Sequence, residues 1–320
     1  TSNYKKYKSF LSTLNHILDD KKRFEFLHIK NNNDLITHIK ELNILATYGI
    51  SENDFLMKSE KLKWIHFGAA GIEKSLFPSI LKSKIIITNS SGVHVGAVSE
   101  FTMGMILYLS KQFLECEKFK KDKDWTQWDI ARKTIQLKDK TIGIIGFGHI
   151  GKAIAKKAKS FDMNVIATRR LQKKIEIKKT VDKLIPISKL NYLLSNSDYV
   201  VIACPLTPLT EKMIGSLELS MMKSSAFIIN IARGAVIDEK ELIKSLRNNK
   251  IAGAALDVFE KEPLDKKNPL FDLDNVFLSP HISGNFPEYQ QAVIEKLAHN
   301  LNRFIAGKNL INRVCKKRQY

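Results

Sequence analysis

Three segments of the sequence carry side chains that could bind a carboxylate and transfer a proton. Each follows an apolar stretch of strand type: Ala232-Arg233-Gly234 after 227–231, Phe259-Glu260-Lys261-Glu262-Pro263 after 254–258, and Ser279-Pro280-His281 after 276–278. Arg233 could bind a carboxylate as a fork and polarise a ketone. His281 could give a proton to the ketone oxygen as hydride arrives, with Glu262 orienting the imidazole. The set is sufficient to reduce a 2-oxo acid, with Glu260 as the alternative acid and purely structural roles as the rival interpretation.

A glycine-rich turn supplies the second chemical feature. Residues 141–170 read TIGIIGFGHIGKAIAKKAKSFDMNVIATRR, which predicts a strand, a tight turn, a helix and a second strand. Gly146 would make the turn, Gly148 would let the backbone approach a pyrophosphate, and Gly151 would pack the helix on the strand. The unpaired N–H groups at the helix start, around His149 and Ile150, would hold the pyrophosphate. The segment therefore predicts a dinucleotide-binding unit.

The end of the second strand indicates which dinucleotide is preferred. An NAD-specific site places an acidic residue there to accept hydrogen bonds from the ribose hydroxyls. This chain has Thr168, Arg169 and Arg170 instead. Because an arginine can grip a 2′-phosphate, the sequence predicts NADPH as the preferred cofactor, with NADH possible. The alternative is that both arginines are solvated surface charges.

A second small-residue turn lies nearer the N-terminus. Gly68-Ala69-Ala70-Gly71 follows the apolar strand WIHF, and its backbone N–H groups could face the carboxylate of a ligand. A plain tight turn is the alternative. With Arg233 this turn offers one carboxylate site, so the sequence favours a small monocarboxylate over bulky aromatic 2-oxo acids.

Composition narrows the class of protein. The chain has 320 residues, 44% of them hydrophobic, and no apolar run of the ~20 residues that cross a bilayer. No signal peptide is visible and the three cysteines are scattered, so we expect the cytoplasm, no disulfide framework and no metal site. The net charge of +19 is spread along the chain without a nucleic-acid module. It indicates a lysine-rich surface rather than a nucleic-acid or membrane partner.

The order of elements predicts an α/β fold of two domains. A doubly wound, Rossmann-type dinucleotide-binding domain, residues 97–283, is expected to be inserted into a smaller flavodoxin-like α/β substrate domain, residues 1–96 and 284–320, with the cleft between them. Strands are predicted at Phe24–Lys30, at NILATY, WIHF and KIIITNS, and at the stretches that precede the three chemical loops. Residues 98–113 should be one buried helix, and Trp125 and Trp128 should be packing anchors of a crossing loop.

Several ordered motifs resemble the D-isomer-specific 2-hydroxyacid dehydrogenase family. They are GFGHIG at 146–151, ACPLTPLT at 203–210, NIARGAVID at 230–238, ALDVFEKEP at 255–263 and SPHISG at 279–284. The resemblance runs from about Trp64 to the C-terminus and implies Arg233, Glu262 and His281 as the catalytic set. It places the substrate at Ala69, Ala70 and Gly71. It also implies a homodimer with the 98–113 helix in the interface, and a cofactor near Cys204, Pro205, Thr210, Ile231, Ala232, Asp257 and Ser283.

Within that family the sequence favours glyoxylate/hydroxypyruvate reductases, on ACPLTPLT and the two arginines at 169 and 170. Glu262 stands where formate dehydrogenases have glutamine. The regulatory domain of many phosphoglycerate dehydrogenases is not seen, although such an enzyme without that domain stays an alternative. A further alternative is a nucleotide-sensing module like the corepressors that share the fold, because those proteins can retain the same three residues.

Overall fold

The computed structural model describes residues 4–58 and 60–319, and the chain forms two compact units. The terminal unit consists of Thr1–Val93 and Phe286–Tyr320, and the central unit of His94–Asn285. These boundaries compare with 96/97 and 283/284 expected from the sequence. Among the described residues, no helix combines the length and apolar character needed to span a membrane.

The helices are α1 (Tyr4–Ile17), α2 (Asn32–His38), α3 (Glu52–Leu56), α4 (Pro78–Lys82), α5 (Val95–Ser110), α6 (Phe113–Asp122), α7 (Gln127–Ala131), α8 (His149–Lys159), α9 (Leu190–Asn196), α10 (Ser216–Ser220), α11 (Glu239–Arg247) and α12 (Tyr289–Ile305). The strands are β1 (Ile44–Thr47), β2 (Trp64–Phe67), β3 (Ile86–Asn89), β4 (Thr141–Ile145), β5 (Asn164–Arg169), β6 (Glu176–Lys178), β7 (Val181–Pro186), β8 (Tyr199–Ile202), β9 (Phe227–Asn230), β10 (Gly253–Leu256) and β11 (Val276–Leu278).

Each unit is built on its own sheet. In the terminal unit β1, β2 and β3 are parallel and lie in that order. The central sheet has the order β11-β10-β9-β8-β4-β5-β7-β6 and is parallel except for the edge pair of β6 and β7. The chain leaves β4 toward β5 on one side and later returns to β8 on the other. Ligands of doubly wound sheets bind beyond the carboxyl ends of strands at such a reversal of order.

The interior of the central unit explains why its strands are apolar runs. All four residues of β8 are buried, and so are Ile142 to Ile145 of β4, because helices cover both faces of the sheet. Tyr199 at the start of β8 keeps its hydroxyl in this interior through a 2.7 Å hydrogen bond with Ser110. The predicted α/β class with a doubly wound parallel sheet is thus confirmed.

Several predicted elements are wrong. Phe24–Lys30 is not a strand, because its Phe24 and Phe26 pack on the cluster around Leu14 and Trp64 without a neighbouring strand to pair with. The strands β6 and β7 were not predicted, because lysines interrupt their apolar pattern; the exposed, charged β6 is typical of a sheet edge.

The region after α5 also differs from the prediction. The helix expected at 98–113 is α5, which ends at Ser110. A second helix, α6, begins at Phe113, because Gln112 between them takes a left-handed conformation with φ of 57°. Trp125 and Trp128 do not anchor a buried loop: they are 77% and 68% exposed, and Trp128 lies in the short helix α7.

Candidate active site

Arg233, Glu262 and His281 lie at the same edge of the central sheet. They follow β9, β10 and β11, which are parallel neighbours in the sheet. The carboxyl ends of parallel neighbours meet at one edge, so the three loops converge although 48 residues separate the first side chain from the last. The structure thus brings the three predicted side chains to one place.

His281 and Glu262 form a direct pair. The Nδ1 atom of His281 lies 2.7 Å from Oε2 of Glu262, and Oε1 of Glu262 accepts a 3.0 Å hydrogen bond from the N–H of Phe259. Burial raises the pKa of Glu262, but the hydrogen bonds from His281 and Phe259 outweigh it, and the net pKa lies below the ordinary value. An ionised carboxylate therefore faces Nδ1, which leaves Nε2 as the ring nitrogen that can exchange a proton with a ligand.

Glu260, the alternative acid, contacts other groups. Its carboxylate lies 3.5 Å from Nζ of Lys212, and its N–H donates to Glu239. Of the two acids in this loop, Glu262 is the one that contacts the imidazole. Arg233 lies close enough to Glu262 to contribute to lowering its pKa, and its Nη1 donates to the carbonyl of Ala232 at 2.7 Å.

The loop that carries His281 is fixed by a buried carboxylate. Asp257, at the end of β10, is fully buried and accepts three hydrogen bonds: from the hydroxyl of Ser279 (2.7 Å) and from the N–H groups of Ile282 (2.9 Å) and Ser283 (3.0 Å). His281 itself has a φ of 54°, a conformation that is strained for a residue with a side chain. The bonds to Asp257 on both sides of His281 hold that conformation.

Gly234 allows the Arg233 and Glu262 loops to approach each other. A Cβ atom at Gly234 would lie 1.8 Å from the carbonyl carbon of Phe259 and 2.3 Å from the N–H of Glu260. No backbone atom can tolerate such a contact, so a side chain at position 234 must displace one of the two loops.

We therefore expect Gly234→Ala to lower turnover at least tenfold and to destabilise the fold by about 1–3 kcal/mol, the usual effect of overpacking. Gly215→Ala is the matched control, because a Cβ there meets its nearest atom at 3.5 Å, an ordinary contact. Steady-state kinetics and thermal unfolding of both variants would test this. Wild-type turnover in Gly234→Ala would show that the loops do not need this contact.

The predicted dinucleotide turn has the geometry expected of its glycines. Gly146 has a φ of 106°, and a Cβ on it would lie 2.7 Å from the N–H of Cys204. A Cβ on Gly151 would lie 2.1 Å from the carbonyl oxygen of Gly146, so the helix packs on the turn without a side chain between them. A Cβ on Gly148 would meet nothing within 4 Å, which leaves open space at the start of α8. That space, beside helix N–H groups without intrahelical acceptors, fits a pyrophosphate.

Other predicted cofactor residues surround the same edge. Arg169 ends β5 and is exposed, as is Arg170. The hydroxyl of Thr168 is buried and has no hydrogen-bond partner among the described residues. Cys204 packs against the core, and burial raises the pKa of its thiol to about 12, so it is not a nucleophile. Ile231 and Ala232 are buried directly after β9, and the Thr210 hydroxyl donates to the carbonyl of Pro205 at 2.7 Å.

In the terminal unit, the Gly68–Gly71 loop has its carbonyl groups bonded to the protein. The hydroxyl of Tyr289 donates to the carbonyl of Gly68 at 2.8 Å. The N–H of Ser90 donates to the carbonyl of Ala69 at 3.1 Å, and Nδ2 of Asn89 donates to the carbonyl of Ala70 at 2.7 Å. A peptide unit is planar, so each bonded carbonyl also fixes the N–H of the next residue in the opposite direction. Within the described part of the chain, no acceptor lies against the N–H groups of Ala69, Ala70 and Gly71. Three successive oriented donors of this kind can bind an anion.

A buried polar chain lies behind the loop. Trp64 Nε1 donates to the Thr88 hydroxyl at 2.8 Å, and that hydroxyl lies 2.8 Å from Nδ1 of His66. On the other side of the ring, Nε2 lies 3.4 Å from the Ser90 hydroxyl, which donates to the carbonyl of Phe67. Burial, aided by Lys296, lowers the pKa of His66 to about 4. His66 is therefore a neutral structural residue.

Sequence reasoning missed Asn89, Ser90 and Tyr289. The first two had a signal, because they end or follow β3, the parallel neighbour of the strand that precedes the loop. Tyr289 had none, because 221 residues separate it from the carbonyl that it contacts.

Comparisons with known proteins identify the family to which the chain belongs. Residues 103–283 match the family model described as D-isomer specific 2-hydroxyacid dehydrogenase, NAD binding domain. A glyoxylate reductase of Thermococcus litoralis is 35% identical over 289 residues, which cover 87% of this chain and 86% of that protein. A D-3-phosphoglycerate dehydrogenase of Methanocaldococcus jannaschii is 34% identical over 87% of this chain but only 53% of its own length. The crystal structure of a D-isomer specific 2-hydroxyacid dehydrogenase family protein from Aeromonas salmonicida aligns with a TM-score of 0.83 and 26% identity, covering 97% of this chain and 96% of that chain.

The fold and the site together define a class, that of oxidoreductases that act with a nicotinamide dinucleotide. The chain belongs to the D-isomer specific 2-hydroxyacid dehydrogenase family and is an NAD(P)-dependent enzyme of 2-hydroxy and 2-oxo acids.

Proposed function

We propose that the protein reduces a small 2-oxo acid of the glyoxylate or hydroxypyruvate type to the D-2-hydroxy acid. The observation that carries this proposal is the His281–Glu262 pair, 2.7 Å apart, beside Arg233 at adjoining strand ends. The glyoxylate reductase relative, at 35% identity over 87% of the chain, supports the same substrate class.

In this proposal each side chain has one role. A nicotinamide dinucleotide, when bound, would supply the hydride for the carbonyl carbon of the substrate. His281 gives its Nε2 proton to the carbonyl oxygen, so that one hydride and one proton complete the alcohol. Glu262 holds the imidazole by Nδ1 and stabilises its charged form before the transfer. Arg233 binds the substrate carboxylate and polarises the ketone.

The Gly68–Gly71 loop is the second carboxylate-binding group that we propose. Its three N–H groups at Ala69, Ala70 and Gly71, which have no acceptor among the described residues, would supply hydrogen bonds without a charged side chain. A loop of small residues leaves little apolar surface for a large substituent, which supports a small monocarboxylate as substrate.

A panel of glyoxylate, hydroxypyruvate, pyruvate, phenylpyruvate and 3-phosphohydroxypyruvate, with each reduced cofactor, tests the proposal. We expect the highest kcat/KM for glyoxylate or hydroxypyruvate. A higher value for phenylpyruvate would contradict the size argument. A preference for 3-phosphohydroxypyruvate would instead favour a phosphoglycerate dehydrogenase, which the 34% identity to the Methanocaldococcus jannaschii enzyme makes the second candidate.

We also propose that NADPH is preferred over NADH. Arg169 lies exposed at the end of β5, where an acidic residue would repel a 2′-phosphate. A charge-assisted hydrogen bond contributes about 1.5–3 kcal/mol, which corresponds to a preference of roughly tenfold to a hundredfold.

Arg169→Asp is expected to abolish or reverse that preference, because it removes the fork and adds a repelling charge. The measurement is kcat/KM with NADPH and with NADH. Lys179→Asp, an equal change of charge at another exposed position of the central unit, should leave the ratio unchanged. The assignment would be refuted if the wild-type kcat/KM were equal for NADPH and NADH, or higher for NADH.

The assembly that we propose is a homodimer in the cytoplasm. The helix α5 is apolar on nearly every face, and Trp125 and Trp128 expose large aromatic surfaces nearby in the chain. A second copy of this chain would bury such surface. Light scattering after size-exclusion chromatography gives the mass directly.

The free thiols of Cys116, Cys204 and Cys315 are typical of a reducing compartment.

A further inference from the structure

Tyr289 joins the start of α12 to the Gly68–Gly71 loop. Its hydroxyl donates a 2.8 Å hydrogen bond to the carbonyl of Gly68, and it also pairs with the hydroxyl of Tyr48, just after β1. A hydroxyl has a single proton to donate, so Tyr289 must accept from Tyr48. Burial and the neighbouring Tyr48 raise the pKa of Tyr289 to about 12, so it keeps that proton at physiological pH.

Tyr48 also supports the loop by contact. A Cβ atom at Gly68 would lie 2.9 Å from Cε1 of the Tyr48 ring, so the ring fills the space that a side chain at position 68 would need. The N–H of Gly68 donates to the carbonyl of Thr47 at 2.8 Å. The loop therefore begins at a residue that is held by backbone on one side and by two tyrosines on the other.

The peptide unit between Gly68 and Ala69 depends on Tyr289 in particular. The next two units are held by Ser90 and Asn89, which belong to the end of β3 and the residue after it. For the first unit, the described residues offer the Tyr289 hydroxyl as the donor to its carbonyl. Since the unit is planar, the bond to the Gly68 carbonyl sets the direction of the Ala69 N–H.

We propose that Tyr289 is a positioning residue of this enzyme, which aims the Ala69 N–H at the carboxylate of the 2-oxo acid. The inference rests on the proposed function, because it assumes that the loop binds that carboxylate. A donor of this kind contacts a group that does not change during the reaction. It therefore contributes equally to substrate and transition-state binding, and its loss raises KM while leaving kcat unchanged.

Tyr289→Phe tests this, because it removes the hydroxyl and keeps the ring. We expect KM for glyoxylate and the inhibition constant of oxalate to rise about threefold to tenfold, the effect of one hydrogen bond. The kcat and the KM for NADPH should stay within about twofold of the wild type. Tyr48→Phe retains the bond to Gly68 and should have a smaller effect. Tyr192→Phe, which removes an exposed hydroxyl in the central unit, is the matched control.

Hydrogen exchange of the peptide that covers residues 68–72 gives a readout that does not need activity. We expect faster exchange there in Tyr289→Phe than in Tyr192→Phe. An unchanged KM in a variant of an active enzyme would overturn the role of Tyr289 and leave the proposed function intact. A wild-type chain that reduces no 2-oxo acid would refute the proposed function instead. In that case the inference is tested separately. It would be overturned if Tyr289→Phe showed the wild-type exchange rate at residues 68–72 and the wild-type affinity for oxalate, measured by calorimetry.

Discussion

Replacing His281 by alanine is expected to lower kcat for glyoxylate by roughly 10²–10⁴, the usual contribution of a positioned general acid. The physical reason is the pair that the structure shows: Nδ1 is held 2.7 Å from an ionised Glu262, so Nε2 is the atom from which the proton leaves. The affinity for the cofactor should barely change. Steady-state kinetics with both substrates varied would measure the two effects separately.

His299→Ala is the matched control, because His299 is exposed on α12 and the proposed reaction does not use it. Glu262→Gln gives a second readout. A neutral amide no longer stabilises the charged imidazole from which the proton leaves, so kcat should fall while the KM for NADPH stays near the wild-type value. Near-normal turnover of His281→Ala across the pH range would exclude His281 as the acid.

The second large effect is expected for Arg233→Ala, which should lower kcat/KM for glyoxylate by about 10²–10⁴. This estimate assumes that two charge-assisted hydrogen bonds of roughly 1.5–3 kcal/mol each are lost together. Because Arg233 is proposed both to bind the carboxylate and to polarise the ketone, KM should rise and kcat should fall. The KM for NADPH should be unaffected.

Arg233→Lys separates charge from geometry, since an ammonium keeps the charge but lacks the planar fork. We expect it to recover only a small part of the loss. Added guanidinium ion should partly restore the activity of Arg233→Ala, which a merely misfolded variant would not show. Arg247→Ala, at an exposed position at the end of α11, is the control. A wild-type KM for glyoxylate in Arg233→Ala would remove Arg233 from the substrate site.

The position of the candidate site could be predicted from the sequence as far as the order of the strands could be predicted. Apolar runs followed by helices imply parallel strands, and this alone placed Arg233, Glu262 and His281 at one edge. Strand order could not choose between Glu260 and Glu262. They are two residues apart on one loop, and the way that loop turns under the Phe259 N–H decides which carboxylate reaches the imidazole.

The errors in the predicted fold arise because a local pattern does not show which strands pair. The alternating pattern of Phe24–Lys30 led to a predicted strand, and Phe24 and Phe26 do pack, partly buried, on a hydrophobic cluster; packing of alternate side chains does not supply a partner strand. Conversely, β6 is an exposed edge strand where solvent permits charged residues, so its pairing left no apolar pattern to find. In β7, Asp182 and Lys183 interrupt the buried positions Val181, Leu184 and Ile185.

The sequence by itself determined the features that depend on a few adjacent residues. The turn at Gly146 and Gly151 is such a feature, because a positive φ at Gly146 and close backbone packing at both positions restrict the residue type. Only the tertiary structure decided how the Gly68–Gly71 loop is held, since Tyr289 lies 221 residues away and a single hydrogen bond has no periodicity. The same holds for Asp257, whose carboxylate fixes a loop more than twenty residues further along the chain. Side chains that act through one distant contact are specified by how the chain packs, and that packing depends on all of its strands and helices together.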